Sequence, residues 1–144
     1  YVEAPLEIGA WQHVAATYDG AALRLYIDGE LVAEQAFDGE ITHSLSPLAI
    51  GAAPAGSYRW DGAIDEVRAW SVARSAGELG AAGRPLTGAE AGLVGNWRFD
   101  EESGTAAADT SAAWPSAASA GARATETRLY RFTGEAGDRW FFDL

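Results

Sequence analysis

The chain has 144 residues and a formal charge of −11, with 21 Asp and Glu set against 10 basic residues, every one an Arg. Such a surface repels phosphates and anionic headgroups, which argues against nucleic acid and membrane surfaces as partners, and no apolar run approaches bilayer-spanning length. The absence of cysteine excludes disulfides, zinc–thiolate centres and thiol catalysis.

The first predicted strand covers 11–18, within Trp11-Gln-His-Val-Ala-Ala-Thr-Tyr-Asp-Gly20. The next covers 22–28, where Leu23, Leu25 and Ile27 alternate with Arg24, Tyr26 and Asp28, the period of a half-buried strand. Asp28-Gly29 then predicts a tight hairpin into a strand at 31–36, since both turn positions favour a positive φ. Further strands are expected at 47–51 and 63–70, and the pairs Asp19-Gly20, Asp38-Gly39 and Asp61-Gly62 mark other turns. One short helix is expected at 75–82, opened by the capping box Ser75-Ala-Gly-Glu78 and closed by Gly83 and Pro85. Leu93, Gly95, Trp97 and Phe99 define one face of a late strand, with Val94, Asn96 and Arg98 on the other. Residues 103–125, rich in Ala, Ser, Thr and Gly, read as a linker or ordered coil. Residues 126–144 read as a hairpin opening a second β domain, because Leu129-Tyr-Arg-Phe132 and Arg139-Trp-Phe-Phe142 flank a Gly-rich loop.

The pieces W-x-H-V-A-x-T-Y-D-G (Trp11 to Gly20), L-x-L-Y-I-D-G (Leu23 to Gly29), L-x-I-G (Leu48 to Gly51) and G-x-I-D-E-V-R (Gly62 to Arg68) occur in one order. R-S-x-x-E-L (Arg74 to Leu79) and G-L-V-G-x-W-R-F-D-E (Gly92 to Glu101) follow them. Together they resemble the laminin-G-like domains of the concanavalin-A-like lectin/glucanase superfamily. The resemblance implies an all-β fold, an antiparallel jelly-roll β-sandwich with one short helix, over residues 1–102. The match opens at a mid-domain strand, so the chain reads as an excerpt lacking its front strands, with a small complete sandwich as the alternative. The resemblance also implies an extracellular or cell-surface setting, and the Lys-free, Ala/Gly/Arg-rich composition suits a bacterium with a GC-rich genome.

Glucanases of this superfamily resemble one another in a strand motif that puts two or more carboxylates on one face, and a retaining pair must sit about 5–5.5 Å apart. In Ala63-Ile-Asp-Glu-Val-Arg-Ala69, alternation puts Asp65 and Glu66 on opposite faces, so no catalytic residue is assigned. Asp65 is expected on an inward face, holding backbone amides in a structural role. Trp11, His13 and Trp97 are likewise read as structural residues of strands. His43, in the polar loop Thr42-His-Ser44, lacks a nucleophile elbow and an orienting acid.

No metal ligand is assigned and no cofactor is required. Calcium is the ion the resemblance raises, but Ala52-Ala-Pro-Ala-Gly-Ser57, after Gly51, offers no carboxylate. Asp100, Glu101, Glu102 and Asp109 form an acidic loop that reads as a solvated surface. Tyr58, Arg59, Trp60 and Asp61 are the candidate ligand-binding cluster, because aromatic rings stack on sugar C–H faces while Arg and Asp bond hydroxyls. The expected function is non-catalytic recognition of a glycan or an extracellular protein within a larger secreted or surface protein. The alternatives are a structural spacer in a multidomain adhesin and an ancillary domain of a glycoside hydrolase.

Overall fold

The computed structural model describes residues 1–39, 48–52, 59–81, 83–103, 106–112 and 122–123. His43, Tyr58 and the expected hairpin at 126–144 lie outside the described residues. The chain divides into two compact units, one containing Tyr1–Leu48 and Val72–Pro85, the other Ala49–Ser71 and the described residues from Leu86 onward.

In the first unit, β1 (Val14–Tyr18), β2 (Ala22–Ile27) and β3 (Glu30–Ala36) form an antiparallel sheet in that order. Asp28 and Gly29 take φ values of 51° and 83°, as a two-residue hairpin requires, and link β2 to β3. The register pairs Leu25 with Ala33 and Tyr26 with Leu31, leaving Val32 as an extra residue. Leu25 and Tyr26 are both buried, although neighbours on a strand face opposite ways. β2 is thus covered on both faces, where alternation had predicted burial of one. Arg24 stands across from Glu34 in register, 3.4 Å away, and also pairs with Asp19. The Arg24 guanidinium, together with the Ala21 and Ala22 amides, holds the Asp19 carboxyl at about 2.

The expected helix is α1 (Ala76–Gly80). The Glu78 carboxylate accepts hydrogen bonds from the Ser75 amide and hydroxyl, each at 2.8 Å, and Arg74 closes on it at 3.0 Å. These contacts fix the first turn of a helix too short to persist alone. Its Leu79 is buried. A Cβ added at Gly29 would lie 2.7 Å from Gly80 Cα, so the β2–β3 turn and α1 meet backbone to backbone.

In the second unit, β4 (Val67–Trp70) pairs antiparallel with β5 (Leu93–Trp97), and the short β6 (Ala106–Ala107) pairs with β7 (Ala122–Arg123). Leu93, Gly95 and Trp97 are buried and Val94 is exposed, as the alternation predicts. The Trp97 ring folds over Gly95, where an added Cβ would meet it at 2.5 Å. Asn96 breaks the pattern: it belongs to the polar face yet is only 1% exposed. Residues Asp109–Ala112, within the stretch expected as linker or ordered coil, run beside β5 and cover it. Asn96 Nδ2 donates to Thr110 Oγ1 at 2.7 Å, and the Thr110 amide donates to the Asn96 carbonyl at 2.8 Å.

Four expected strand segments are shorter than the pattern implied or are not strand. Residues 11–13 precede β1, leaving Trp11 70% exposed rather than buried in a sheet. Residues 48–51 form a bend, and Gly51 has a φ of 77°. Residues 63–66 are not strand because Glu66 takes a left-handed φ of 52°. β5 stops at Trp97, and Phe99 is left-handed too. Thr87-Gly-Ala-Glu90 repeats the capping-box pattern, with the Glu90 carboxylate accepting from the Thr87 amide and hydroxyl at 2.8 Å each. No helix follows, because Gly88 turns the backbone left-handed at a φ of 88°.

Candidate functional site

The aromatic cluster is built on the bend at Gly51. The Trp60 amide donates to the Gly51 carbonyl at 2.8 Å, and the Trp60 indole N–H points to the Ala63 carbonyl at 3.4 Å. These contacts hold Trp60 half-buried between the exposed Arg59 and Asp61. Arg59, Trp60 and Asp61 are thereby brought together on one short segment, one ring flanked by a cation and a carboxylate.

Residues 63–69, already read as lacking the glucanase carboxylate pair, are strand only from Val67. Asp65 is exposed rather than inward-facing, and its Oδ1 accepts the Glu66 amide at 3.0 Å. The left-handed turn at Glu66 ends the alternation that would have buried Asp65. Glu66 is also exposed, with its carboxylate 2.8 Å from Arg68 and 3.9 Å from Arg98. Arg98 in turn pairs with Asp100 at 2.9 Å, giving a ladder of alternating charge at one end of β4 and β5.

Beside this ladder, Arg98, Asp100, Glu101, Ala108 and Thr110 line an open cleft of about 200 Å³. The acidic loop does not gather its carboxylates around one point. Glu101 accepts the Ala108 amide at 2.7 Å, while Asp109 accepts the Asn96 and Ser111 amides at 2.9 and 2.8 Å. Among the described residues, no three His, Asp or Glu side chains are placed to hold a metal ion together. Glu101 and Asp109 each have one carboxylate oxygen engaged by the chain's own amides.

His13 acts through its main chain. Its amide donates to Asp28 Oδ1 and its carbonyl accepts the Asp28 amide, both at 2.8 Å, which anchors the entry to β1 on the hairpin turn. Trp97 is buried in the second unit. The buried Asn96 and the exposed Asp109 and Thr110 form a polar junction that sequence reasoning did not single out. Its one signal was an Asn inside an otherwise apolar strand, which cannot be buried without partners.

The laminin-G model of the Concanavalin A-like lectin/glucanases superfamily matches residues 2–80, more than half of the chain. Pappalysin-1 of Mus musculus is 34% identical over 76 residues, amounting to 49% of this chain and 5% of that protein. A crystal structure of an S-layer domain-containing protein (residues 221–444) from Clostridium thermocellum is 30% identical, with a TM-score of 0.47. That alignment covers 55% of this chain and 42% of the other. The chain therefore spans only a minor part of either relative. The matched interval contains the Trp11–Gly20 and Leu23–Gly29 motifs, the Gly62–Arg68 segment and the capped helix. The chain belongs to the Concanavalin A-like lectin/glucanases superfamily, as a laminin-G-like domain.

Proposed function

We propose that the chain is a non-catalytic recognition module of a larger extracellular or cell-surface protein, bacterial in origin, binding a glycan or another protein. Trp60 carries this reading. Its backbone is fixed to Gly51, its ring is half-exposed, and Arg59 and Asp61 flank it with a donor and an acceptor. A ring held in this way loses little freedom when a sugar face or an apolar side chain stacks on it. The non-catalytic part of the proposal is supported by Asp65 and Glu66, which form no carboxylate pair on one face. The Glu66 carboxylate is committed to Arg68 and Arg98. Binding without calcium is supported by the engaged carboxylates of Glu101 and Asp109.

The test is a glycan-array screen of the chain and its Trp60→Ala variant, with and without calcium. Binding to a defined sugar that Trp60→Ala abolishes, with unchanged circular dichroism, would support the reading. Binding that survives Trp60→Ala would move the site elsewhere, and binding only with calcium would refute the cation-independent form. No binding under any condition, with both proteins folded, would remove the glycan arm and leave protein recognition or a spacer role.

A further inference from the structure

The four Asp-Gly pairs share one sequence but have different surroundings. Glycine leaves the following amide nitrogen unhindered, so an Asp-Gly pair is the arrangement most open to attack of that nitrogen on the aspartyl carboxyl. Attack requires a carboxyl free to turn toward its own main chain and an amide free of a hydrogen-bond acceptor.

Asp19 fails the first requirement. Its Oδ1 accepts the Ala21 and Ala22 amides at 3.0 and 2.9 Å, and its Oδ2 pairs with Arg24. Asp28 is tied by its side chain and its main chain to His13, within a hairpin turn pressed on Gly80. Gly62, which follows Asp61, is buried. Asp38 is exposed at the end of β3, and its carboxylate has no hydrogen bond or ion pair among the described residues. The Gly39 amide donates to no acceptor there either. The contacts of Gly39 lie on its far side: its carbonyl accepts the Tyr18 hydroxyl, and the Phe37 ring covers its Cα.

We infer that Asp38-Gly39 is a modification site at which aspartate converts spontaneously to isoaspartate, ahead of the other three Asp-Gly pairs. The Gly39 nitrogen bonds to the Asp38 carboxyl carbon and gives up its proton to solvent. The carboxyl hydroxyl leaves as water, closing a succinimide. Water then adds to one of the two ring carbonyls. Addition at the side-chain carbonyl restores aspartate, and addition at the main-chain carbonyl gives isoaspartate, in which the chain runs through Cβ and Cγ. The lengthened backbone moves the Gly39 carbonyl away from the Tyr18 hydroxyl, loosening the contact that closes this end of β3. The acid form is the one that loses water. Arg24 and the Ala21 and Ala22 amides hold the Asp19 carboxyl at about 2, which disfavours that form.

The test is prolonged incubation of the chain at neutral pH, folded and in urea, followed by peptide mapping and methylation by an isoaspartyl methyltransferase. In the folded protein, isoaspartate should accumulate at Asp38 several-fold faster than at Asp19, both of whose carboxylate oxygens are engaged. In urea the four sites should react at similar rates. Asp38→Glu should abolish the main product, and Arg24→Ala should raise the rate at Asp19. Folded-state rates at Asp19, Asp28 or Asp61 that equal the rate at Asp38 would overturn the inference. So would a slow Asp38 that Tyr18→Phe accelerates, because the Tyr18 contact would then be protecting the site.

Discussion

The close approach of Gly29 to Gly80 gives the sharpest stability test. Gly29 has a φ of 83°, and an added Cβ would lie 2.7 Å from Gly80 Cα and 3.0 Å from Gly80 N. Carbon atoms rest about 3.5–4.0 Å apart, so the Gly29→Ala side chain must push the hairpin turn off α1. The left-handed backbone costs an L-residue about 1–2 kcal/mol, and forcing an atom into filled space costs about 1–3 kcal/mol more. The expected loss is about 3 kcal/mol, or roughly 10 °C in Tm for a chain of this length. Gly20→Ala is the control: its φ is 91° but no atom lies within 4 Å of the added Cβ. It should lose only the strain, about 1–2 kcal/mol. Urea unfolding of both variants reads the difference. Equal losses with unchanged m-values would show that the turn and α1 do not touch, and the reasoning would fail.

Other consequences can be checked independently. Gly77→Ala, on a helix position with nothing within 4 Å of the added Cβ, should stabilise the chain by about 0.5–1 kcal/mol in the same assay. The Asp19, Glu78 and Glu90 carboxyls all sit below their ordinary values, Asp19 through Arg24 and backbone amides, Glu78 through Ser75, and Glu90 through Thr87. A depressed folded-state pKa means stability that is present above the unfolded value and lost as pH falls through the folded one. Urea midpoints should therefore decline from about pH 4 toward pH 2, and Asp19→Asn should flatten the lowest part of that decline. Acrylamide quenching should lose more of its accessible fraction in Trp11→Phe than in Trp97→Phe, since Trp11 is 70% exposed and Trp97 is 7%. Adding EDTA should leave Tm unchanged, and a fall would mean that a bound cation contributes to stability.

Local chemistry made much of this molecule legible before any coordinates. The Asp28-Gly29 turn follows from two residues that tolerate positive φ, and the capped first turn of α1 follows from Ser75 and Glu78 three residues apart. The face bearing Leu93, Gly95 and Trp97 follows from the period of a strand, and the superfamily follows from six short motifs in order. Trp60 with Arg59 and Asp61 was visible as a cluster. That the Trp60 main chain is held by Gly51, nine residues earlier, was not.

What the tertiary structure decided lies where a distant segment competes with local preference. Leu25 and Tyr26, adjacent on β2, are buried together because both faces of the strand are covered. Asn96 is buried because Asp109 and Thr110 return along β5, where they bond its main-chain amide and carbonyl and its side-chain Nδ2. Trp11 and Asp65 are exposed because strand geometry begins after them, and Thr87-Gly-Ala-Glu90 forms its box without a helix because Gly88 turns the other way. Periodicity specifies which residues can share a face. Whether that face meets water or protein depends on segments far away in sequence, and only their packing settles it.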